Sequence, residues 1–162
     1  MKIGIISDTH IPVTAMEIPA RIREIFDGVD LILHAGDLIE WRVVEQLGEI
    51  ARVEAVRGNM DIPETAARLP LKKVLELHAV RIGLIHGRGK PSDIRAYVRR
   101  EFIDDNVSVI VYGHSHSPCN FREEGILFFN PGSPTDQVYA AVNSVGILEI
   151  DNGEVRGEII EL

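Results

Sequence analysis

The sequence is poor in cysteine and in long apolar segments. Cys119 is the single cysteine among 162 residues, so no disulfide forms within the chain and we expect a reducing compartment, most simply the cytoplasm. No run of 18 successive apolar residues occurs, which argues against a membrane-spanning helix. The apolar run at the N-terminus is also too short for a signal peptide.

Basic residues are also scarce relative to acidic ones. Lys and Arg number 17 against 25 Asp and Glu, which gives a formal net charge of −8. This balance argues against non-specific binding to the phosphate backbone of nucleic acid, so we do not expect nucleic acid as a tight partner. It leaves phosphate chemistry open, because a bound metal supplies positive charge locally. With 45% hydrophobic and 26% charged residues, the chain has the composition of one folded domain, predicted to span 1–162.

Short β-branched segments alternate with helical patterns over the first two thirds of the chain, and the last third reads as all-β. Apolar spacing predicts helices around 18–26, 43–50 and 92–102, the last capped by Ser92, whereas 57–71 reads as a loop. Asp151-Asn152-Gly153 is a strong hairpin-turn signal. The predicted strands are 2–7, 30–34, 53–56, 74–79, 80–85, 107–112, 126–129, 145–150 and 154–160. Together they predict a four-layer α/β sandwich, in which helices cover two packed sheets.

Metal-binding residue types recur just after the predicted strands. They are Asp8, His10, Asp37, Asn59, His86, His114 and His116. Ligands of open α/β sheets collect outside the carboxyl ends of the strands, so we expect these side chains to converge. Each of these residues, taken singly, could instead be an ordinary turn or cap residue.

The donor types indicate the class of metal. Carboxylate, imidazole and amide donors without thiolate suit Mn²⁺, Fe, Zn²⁺ or Mg²⁺ rather than a cysteine-rich structural zinc site. Seven candidates exceed what one ion takes from a protein, so two ions are the natural interpretation. Two divalent ions outweigh Asp8, Asp37 and one hydroxide in charge, and the resulting positive centre would attract a phosphate.

Five motifs in this order resemble the calcineurin-like metallophosphoesterase superfamily. They are Asp8-Thr9-His10, Gly36-Asp37, Gly58-Asn59-Met60-Asp61, His86-Gly87 and Gly113-His114-Ser115-His116, followed by Asn130-Pro131-Gly132-Ser133. The length and motif style are similar to the small prokaryotic phosphodiesterase branch. The resemblance implies an αββα sandwich of two mixed β-sheets flanked by helices.

The same resemblance implies a ligand set and a reaction. It assigns one ion to Asp8, His10, Asp37 and His116, and a second ion to Asp37, Asn59, His86 and His114, with Asp37 bridging. Mn²⁺ is the first candidate, and Ni²⁺, Zn²⁺, Fe and Co²⁺ are alternatives. The implied reaction is attack of a metal-bridging hydroxide on a small phosphodiester, with Asp37, Asn59, His114 and Asp61 as catalytic residues. The resemblance leaves a homo-oligomer open.

Two positions depart from the common pattern of the superfamily. Met60 stands where many members have a histidine that protonates the leaving group, and a thioether donates no proton. Arg88 stands where many members of the branch have a second histidine; it either contacts a substrate phosphate, as Asn59 would, or belongs to a solvated loop. Asp61 either orients His114 or a water molecule, or caps a turn.

Other interpretations stay open beside the phosphodiesterase. The same residues suit a phosphomonoesterase or a nuclease. A non-catalytic interaction scaffold, like the retromer subunit that shares the fold, is the alternative outside enzymes. His34, inside an apolar strand, is predicted to be a buried histidine bonded to backbone rather than a metal ligand.

Overall fold

The computed structural model describes residues 1–162 and contains ten strands and four helices. The strands are β1 (Lys2–Ile6), β2 (Leu31–His34), β3 (Val53–Ala55), β4 (Lys72–Leu77), β5 (Val80–Ile85), β6 (Val109–Val111), β7 (Cys119–Glu123), β8 (Ile126–Asn130), β9 (Ser144–Asp151) and β10 (Glu154–Glu161). The helices are α1 (Ala20–Ile25), α2 (Arg42–Gly48), α3 (Pro63–Ala66) and α4 (Ile94–Glu101). None of these helices combines the length and apolarity needed to cross a bilayer.

The strands form two mixed sheets of five strands each. The first has the order β10-β9-β1-β2-β3, in which β1, β2 and β3 are parallel, β9 is antiparallel to β1, and β10 is antiparallel to β9. The second has the order β4-β5-β6-β8-β7, with β5, β6 and β8 parallel. Helices α1 and α2 connect the parallel strands of the first sheet, and α4 connects β5 to β6.

Alternating side chains sort the core into layers. Ile3, Ile5 and Leu33 of the first sheet pack between the sheets, against residues such as Val109 and Val111 of the second. The opposite faces of the strands are covered by helices. Ile22, Val43 and Leu47 of α1 and α2 pack on the first sheet, and Ile94 and Val98 of α4 pack on the second. The predicted four-layer sandwich of two mixed sheets is confirmed.

The β9–β10 hairpin shows how local sequence determines a turn. Its two central residues, Asn152 and Gly153, have φ values of 50° and 83°, the left-handed conformation that a two-residue turn between twisted strands requires. The prediction of a hairpin at this position is confirmed. The predicted β4–β5 hairpin is confirmed as well, with Leu77 paired to Val80.

Three local predictions need correction. Residues 57–71, predicted as loop, contain the short helix α3, because Pro63 occupies the first helical position, where its missing N–H costs nothing. Ser92 is not the cap of α4, because this helix begins at Ile94. The Ser92 hydroxyl donates instead to the Asp93 carboxylate. Residues 119–123 form strand β7, paired antiparallel with β8, although no separate strand was predicted there.

Candidate metal centre

The candidate ligands follow the carboxyl ends of five strands. Asp8 and His10 come after β1, Asp37 after β2, and Asn59 after β3. His86 follows β5, and His114 and His116 follow β6. Because β1, β2 and β3 are parallel in one sheet and β5 and β6 in the other, these loops leave their sheets at the carboxyl edges.

The backbone of these loops is held in an unusual conformation. Five of the candidate ligands have positive φ values: Asp8 (53°), His10 (45°), Asp37 (56°), His114 (70°) and His116 (54°). Non-glycine residues rarely adopt this region, and each such residue costs of order 1–3 kcal/mol. The surrounding fold therefore stabilises a strained arrangement that aims these side chains inward.

Two glycines permit the close approach of the loops. A methyl group added at Gly58 would lie 2.0 Å from Asp37 Oδ1. One added at Gly113 would lie 1.9 Å from Ser7 Oγ and 2.5 Å from Asp8 Oδ2. Only a residue without Cβ fits at either position, because the neighbouring loop occupies that space.

Five of the seven predicted ligands meet in two overlapping groups. Asp8, His10 and His116 form one group, and Asp8, Asp37 and His86 form the other. Within each group the ligand atoms lie within 4.8 Å of one another. The five side chains are called the donor cluster below.

Each carboxylate of the donor cluster lies near an imidazole of both groups. Asp8 Oδ1 lies 3.3 Å from His116 Nε2 and 3.9 Å from His86 Nε2. Asp37 Oδ2 lies 3.2 Å from His86 Nε2 and 3.6 Å from His10 Nε2. Asp8 thus spans the centre as fully as Asp37, the residue that the resemblance assigned as the bridge.

His86 provides the observation that tests whether a cation fits. Its Nδ1 lies 2.8 Å from the Ala35 carbonyl oxygen, so Nδ1 carries a proton and donates it there. Nε2 is buried and has no aligned hydrogen bond, although two carboxylates face it. In neutral imidazole, Nε2 presents a lone pair to the carboxylate oxygens, which repel it. This repulsion is removed when Nε2 is protonated or binds a metal ion. The donor set therefore fits a divalent cation.

Asp136, which no sequence motif indicated, orients a second imidazole. Its Oδ2 lies 2.5 Å from His116 Nδ1, and the same carboxylate accepts backbone N–H bonds from Val138, Tyr139 and Ala140. His116 therefore donates from Nδ1 to Asp136 and turns Nε2 toward Asp8. The only sequence signal for Asp136 is its position three residues after Ser133 of the Asn130–Ser133 motif.

The Asn130–Ser133 motif and the residues after it hold the Asp8–His10 loop in place through hydrogen bonds. Ser133 Oγ donates to the Asp8 carbonyl, and Thr135 Oγ1 donates to the Thr9 carbonyl. Asn130 Nδ2 donates to the Gly113 carbonyl, while its Oδ1 accepts from Gly132 N–H. The segment after β8 thus ties the loops after β1 and β6 together.

Proximity of opposite charge shifts the pKa values inside the donor cluster. Burial by itself raises the pKa of Asp8, but the imidazoles of His10, His116 and His86 outweigh burial and hold it well below its usual value. The pKa of Asp37 is likewise lowered against burial, mainly by His86. Burial lowers the pKa of His86, yet Asp37 and Asp8 raise it to about 9. The bond to Asp8 is the main cause that raises the pKa of His116 to about 9, and Asp136 adds to it.

The two remaining predicted ligands line a cavity beside the donor cluster. This main cavity has a volume of about 640 Å³, and Asn59, His114 and Met60 form part of its wall. Asn59 and Met60 are exposed, Met60 by 52%. The His114 ring packs edge-on against His86, with its Nε2 3.1 Å from the Gly89 carbonyl oxygen. His114 belongs to neither group of converging side-chain donors, although its backbone N–H donates to the Asp8 carboxylate.

Asp61 bonds to backbone rather than to His114. Its Oδ1 accepts from Ile39 N–H and its Oδ2 from Gly58 N–H, both at 2.7 Å. Of the two alternatives that the sequence leaves open for Asp61, these contacts match the turn cap. Burial raises the pKa of this carboxyl group. Asp61 thereby holds the loop that carries Asn59 against the loop after β2.

Arg88 lies outside the main cavity. It is exposed, its guanidinium stacks 4.7 Å from the centre of the Tyr97 ring, and it lines a smaller neighbouring cavity. His34, in contrast, is fully buried and bonded as predicted, with Nδ1 accepting from Gly36 N–H and Nε2 bonded to Thr9 Oγ1. Burial lowers its pKa to about 3, so this imidazole is neutral and its nitrogens are occupied.

With this geometry established, comparison with known proteins identifies the family. Residues 1–153 match the calcineurin-like phosphoesterase superfamily domain. The chain belongs to the calcineurin-like phosphoesterase superfamily. The resemblance drawn from its five motifs is therefore confirmed.

Relatives within the superfamily include archaeal proteins. The chain is 39% identical over 160 residues to a probable metallophosphoesterase of Methanothermobacter thermautotrophicus, covering 99% of this chain and 92% of the relative. It is 25% identical over 175 residues to a phosphodiesterase of Methanocaldococcus jannaschii, covering 99% of this chain and 100% of that protein.

A solved structure with a similar fold holds a metal. Wild-type Vps29 of Entamoeba histolytica, complexed with Zn²⁺, superposes with a TM-score of 0.76 at 25% identity, covering 99% of each chain. The superfamily fold is thus shared with a vacuolar protein sorting protein as well as with phosphoesterases.

Proposed function

We propose that the chain is a phosphodiesterase that works with two divalent metal ions, with manganese as the first candidate. The observation that carries the proposal is the donor cluster. Its carboxylates and imidazoles form two overlapping groups, and the buried His86 Nε2 faces two carboxylates without an aligned hydrogen bond. Two groups sharing Asp8 offer room for a pair of ions rather than one.

The residues of the chain divide into three roles in this proposal. Asp8, His10, Asp37, His86 and His116 hold the ions. The Ala35 carbonyl oxygen and the Asp136 carboxylate hold the tautomers of His86 and His116 by accepting hydrogen bonds from their Nδ1–H groups, which leaves each Nε2 free to bind. Asn59 and His114 stand on the cavity side, where each completes a metal's coordination or donates to a phosphate oxygen. Bound there, divalent ions activate a water molecule as nucleophile and offset the charge of the phosphate.

The main cavity favours a diester over a monoester. No Lys or Arg lines it, so its own side chains offer little to balance a second negative charge on the reacting phosphate. A diester has a single negative charge, and a cavity of about 640 Å³ accommodates substituents on both sides. Met60 supplies no proton, so we expect substrates with acidic leaving groups to react fastest.

The net charge of −8 supports a small phosphodiester rather than a nucleic acid as the substrate. We propose a cytoplasmic location on the basis of the single cysteine. Self-association stays a prediction.

A purely non-catalytic scaffold is the competing proposal, favoured by the likeness to Vps29. The five converging donors support the enzyme, because strained backbone conformations of this kind cluster at active sites and ligand-binding sites.

The test is hydrolysis of bis(4-nitrophenyl) phosphate by protein loaded with Mn²⁺. We expect turnover with native protein and a loss of at least about a hundredfold in Asp37→Asn and His86→Ala, because each removes a donor from the cluster. His78→Ala is the matched control, since His78 is an exposed histidine in the β4–β5 turn and its loss leaves turnover unchanged.

Parallel assays separate the candidate activities. Faster turnover of 4-nitrophenyl phosphate or of an oligonucleotide than of the diester assigns a phosphomonoesterase or a nuclease instead. Met60→His then raises the monoester rate if the missing proton donor limits it. Metal binding without hydrolysis of any of the three substrates supports the scaffold.

A further inference from the structure

A second, smaller cavity of about 220 Å³ adjoins the main one. Asn59 lines both cavities, and His86 of the donor cluster lines the smaller one. Three of the residues lining it are basic: Arg57, Lys72 and Arg88. We call this cavity the basic cleft. The net charge of the chain is −8, so the charge of the basic cleft is opposite in sign to that of the molecule as a whole.

The loops that deliver two site residues also deliver two arginines to the basic cleft. Arg57 comes two residues before Asn59, and Arg88 comes two residues after His86. Tyr97 of α4 forms another part of the wall, and the Arg88 guanidinium stacks on its ring at 4.7 Å. Stacking restrains a long side chain, so less conformational entropy is lost when Arg88 binds a ligand.

The two guanidinium groups carry charge that the protein leaves unbalanced. The ion pairs that carboxylates form with Arg and Lys involve other basic residues, and neither Arg57 nor Arg88 takes part in one. Lys72, in contrast, is paired with Asp105 at 2.8 Å. Glu101 is the one acidic residue that lines the basic cleft. Positive charge therefore remains in surplus there.

We propose that the basic cleft binds a second anionic group of the substrate, a carboxylate or phosphate carried by an ester substituent. This inference rests on the proposed phosphodiesterase function and adds to it a substrate class. Guanidinium groups bind oxyanions through paired N–H donors, which suits a planar carboxylate or a phosphate. Because Asn59 lines both cavities, a phosphodiester at the donor cluster places one substituent at the mouth of the basic cleft. The preferred substrate therefore carries a charge on one ester group.

A pair of substrates that differ in one carboxylate tests this assignment. In both 4-nitrophenyl phenyl phosphate and 4-nitrophenyl 3-carboxyphenyl phosphate the same 4-nitrophenolate leaves. We expect kcat/KM of the native protein to be about tenfold higher for the carboxylated diester, the effect of a charged hydrogen bond. The ratio between the two substrates falls toward one in Arg57→Ala and in Arg88→Ala, and rises in Glu101→Gln.

Lys90→Ala is the matched control for these variants. Lys90 is an exposed cation two residues from Arg88 that lines neither cavity. Its removal changes the net charge as much as Arg88→Ala does, and we expect it to leave the ratio unchanged. An equal fall of the ratio in Lys90→Ala overturns the assignment, since it would reflect the overall field alone.

A binding experiment without metal keeps the cleft testable apart from catalysis. In chelator-treated protein, millimolar inorganic pyrophosphate is expected to shift the NMR signals of the Arg57 and Arg88 side-chain Nε–H groups and to saturate. Signals that stay in place refute the anion site. If they shift while neither diester is hydrolysed, the anion site stands and the phosphodiesterase proposal falls. If both diesters react with equal kcat/KM, the substrate role of the basic cleft is wrong and the phosphodiesterase stands.

Discussion

The orientation of the imidazoles in the donor cluster depends on groups that lie outside the cluster. Asp136 accepts hydrogen bonds from His116 Nδ1–H and from three backbone N–H groups, so one carboxylate orders both an imidazole and the loop that follows Asp136. Ala35 does the same for His86 with a carbonyl oxygen. Partners of this kind raise the basicity of a metal-binding imidazole and restrain its ring.

Asp136→Asn tests this role at the scale of a single residue. The amide keeps the size and one acceptor oxygen but loses the charge that supports His116. We expect the affinity for Mn²⁺ to fall about ten- to a hundredfold, with the circular dichroism spectrum retained. Isothermal titration calorimetry measures the affinity. Asp151→Asn, an exposed aspartate at the end of β9, is the control, and an equal loss there would contradict the role of Asp136.

The raised pKa values of His86 and His116, about 9 each, predict opposite effects of pH on stability and on metal binding. An unfolded chain has histidine pKa values near 6.5. The folded metal-free protein therefore gains stability from protonation that is fully present below about pH 6.5 and disappears as pH rises through about 9. Metal ions compete with the same protons, so their binding tightens as pH rises.

The corresponding measurements are the Tm of metal-free protein and the Kd for Mn²⁺ between about pH 6.5 and 8.5. The Tm is expected to decrease, while the affinity increases about tenfold per pH unit for each proton released. Calorimetry in buffers of different ionisation enthalpy counts these protons. A Kd that is constant over the range would show that the imidazoles are already neutral.

At the scale of elements, the site is a meeting of loops whose spacing the strands determine. Gly113 follows β6 and lies against Ser7 and Asp8, which follow β1 in the other sheet. The contact joins the carboxyl edges of two separate sheets, so its closeness sets how far apart the donors stand. A side chain at Gly113 would push the two edges apart.

Gly113→Ala is expected to abolish tight metal binding. The added methyl group would lie 1.9 Å from Ser7 Oγ and 2.5 Å from Asp8 Oδ2, so Asp8 moves or the loop opens. Calorimetry with Mn²⁺ and thermal unfolding record both effects. Gly48→Ala, at the last residue of α2, meets no atom within 4 Å. We expect it to leave the affinity unchanged and to raise stability by up to about 1 kcal/mol.

At the scale of the whole molecule, the packing of the two sheets holds the two halves of the site in register. Phe129 of β8 is fully buried between the sheets and lies over Gly146 and Gly157 of the opposite sheet. The absence of side chains at these glycines provides the space that the ring fills. Strand β8 also ends at Asn130, which bonds to the loop after β6.

Phe129→Ala is expected to lower the free energy of unfolding by about 3–5 kcal/mol, the cost of a large cavity in a core. Urea unfolding measures the change. Phe121→Ala on β7 is the control, because Phe121 is 41% exposed and its loss creates no closed cavity. A difference below about 1 kcal/mol between the two variants would mean that the sheets repack around the gap.

Much of the fold was readable from local patterns, and the exceptions have physical causes. Continuous apolar runs predicted β1, β2 and β6, because one face of each strand packs between the sheets and the other packs under helices. The exposed and half-exposed residues of β7 show no such pattern, because its strand is defined by pairing with β8 at the sheet edge. Helix α3 was missed because Pro63 counts as a breaker within a helix but not at its first position.

By itself, the sequence determined the donor types, their order along the chain and their positions after strands, since these follow from residue identity and from periodicity. Only the tertiary structure decided which residues lie next to one another in the site. His116 and Asp136 are 20 residues apart, Asp8 and His114 are 106 apart, and Arg57 and Arg88 share a wall although β4 and β5 separate them. Contacts of this kind depend on how two sheets pack, and packing is a property of the whole core that no local pattern contains.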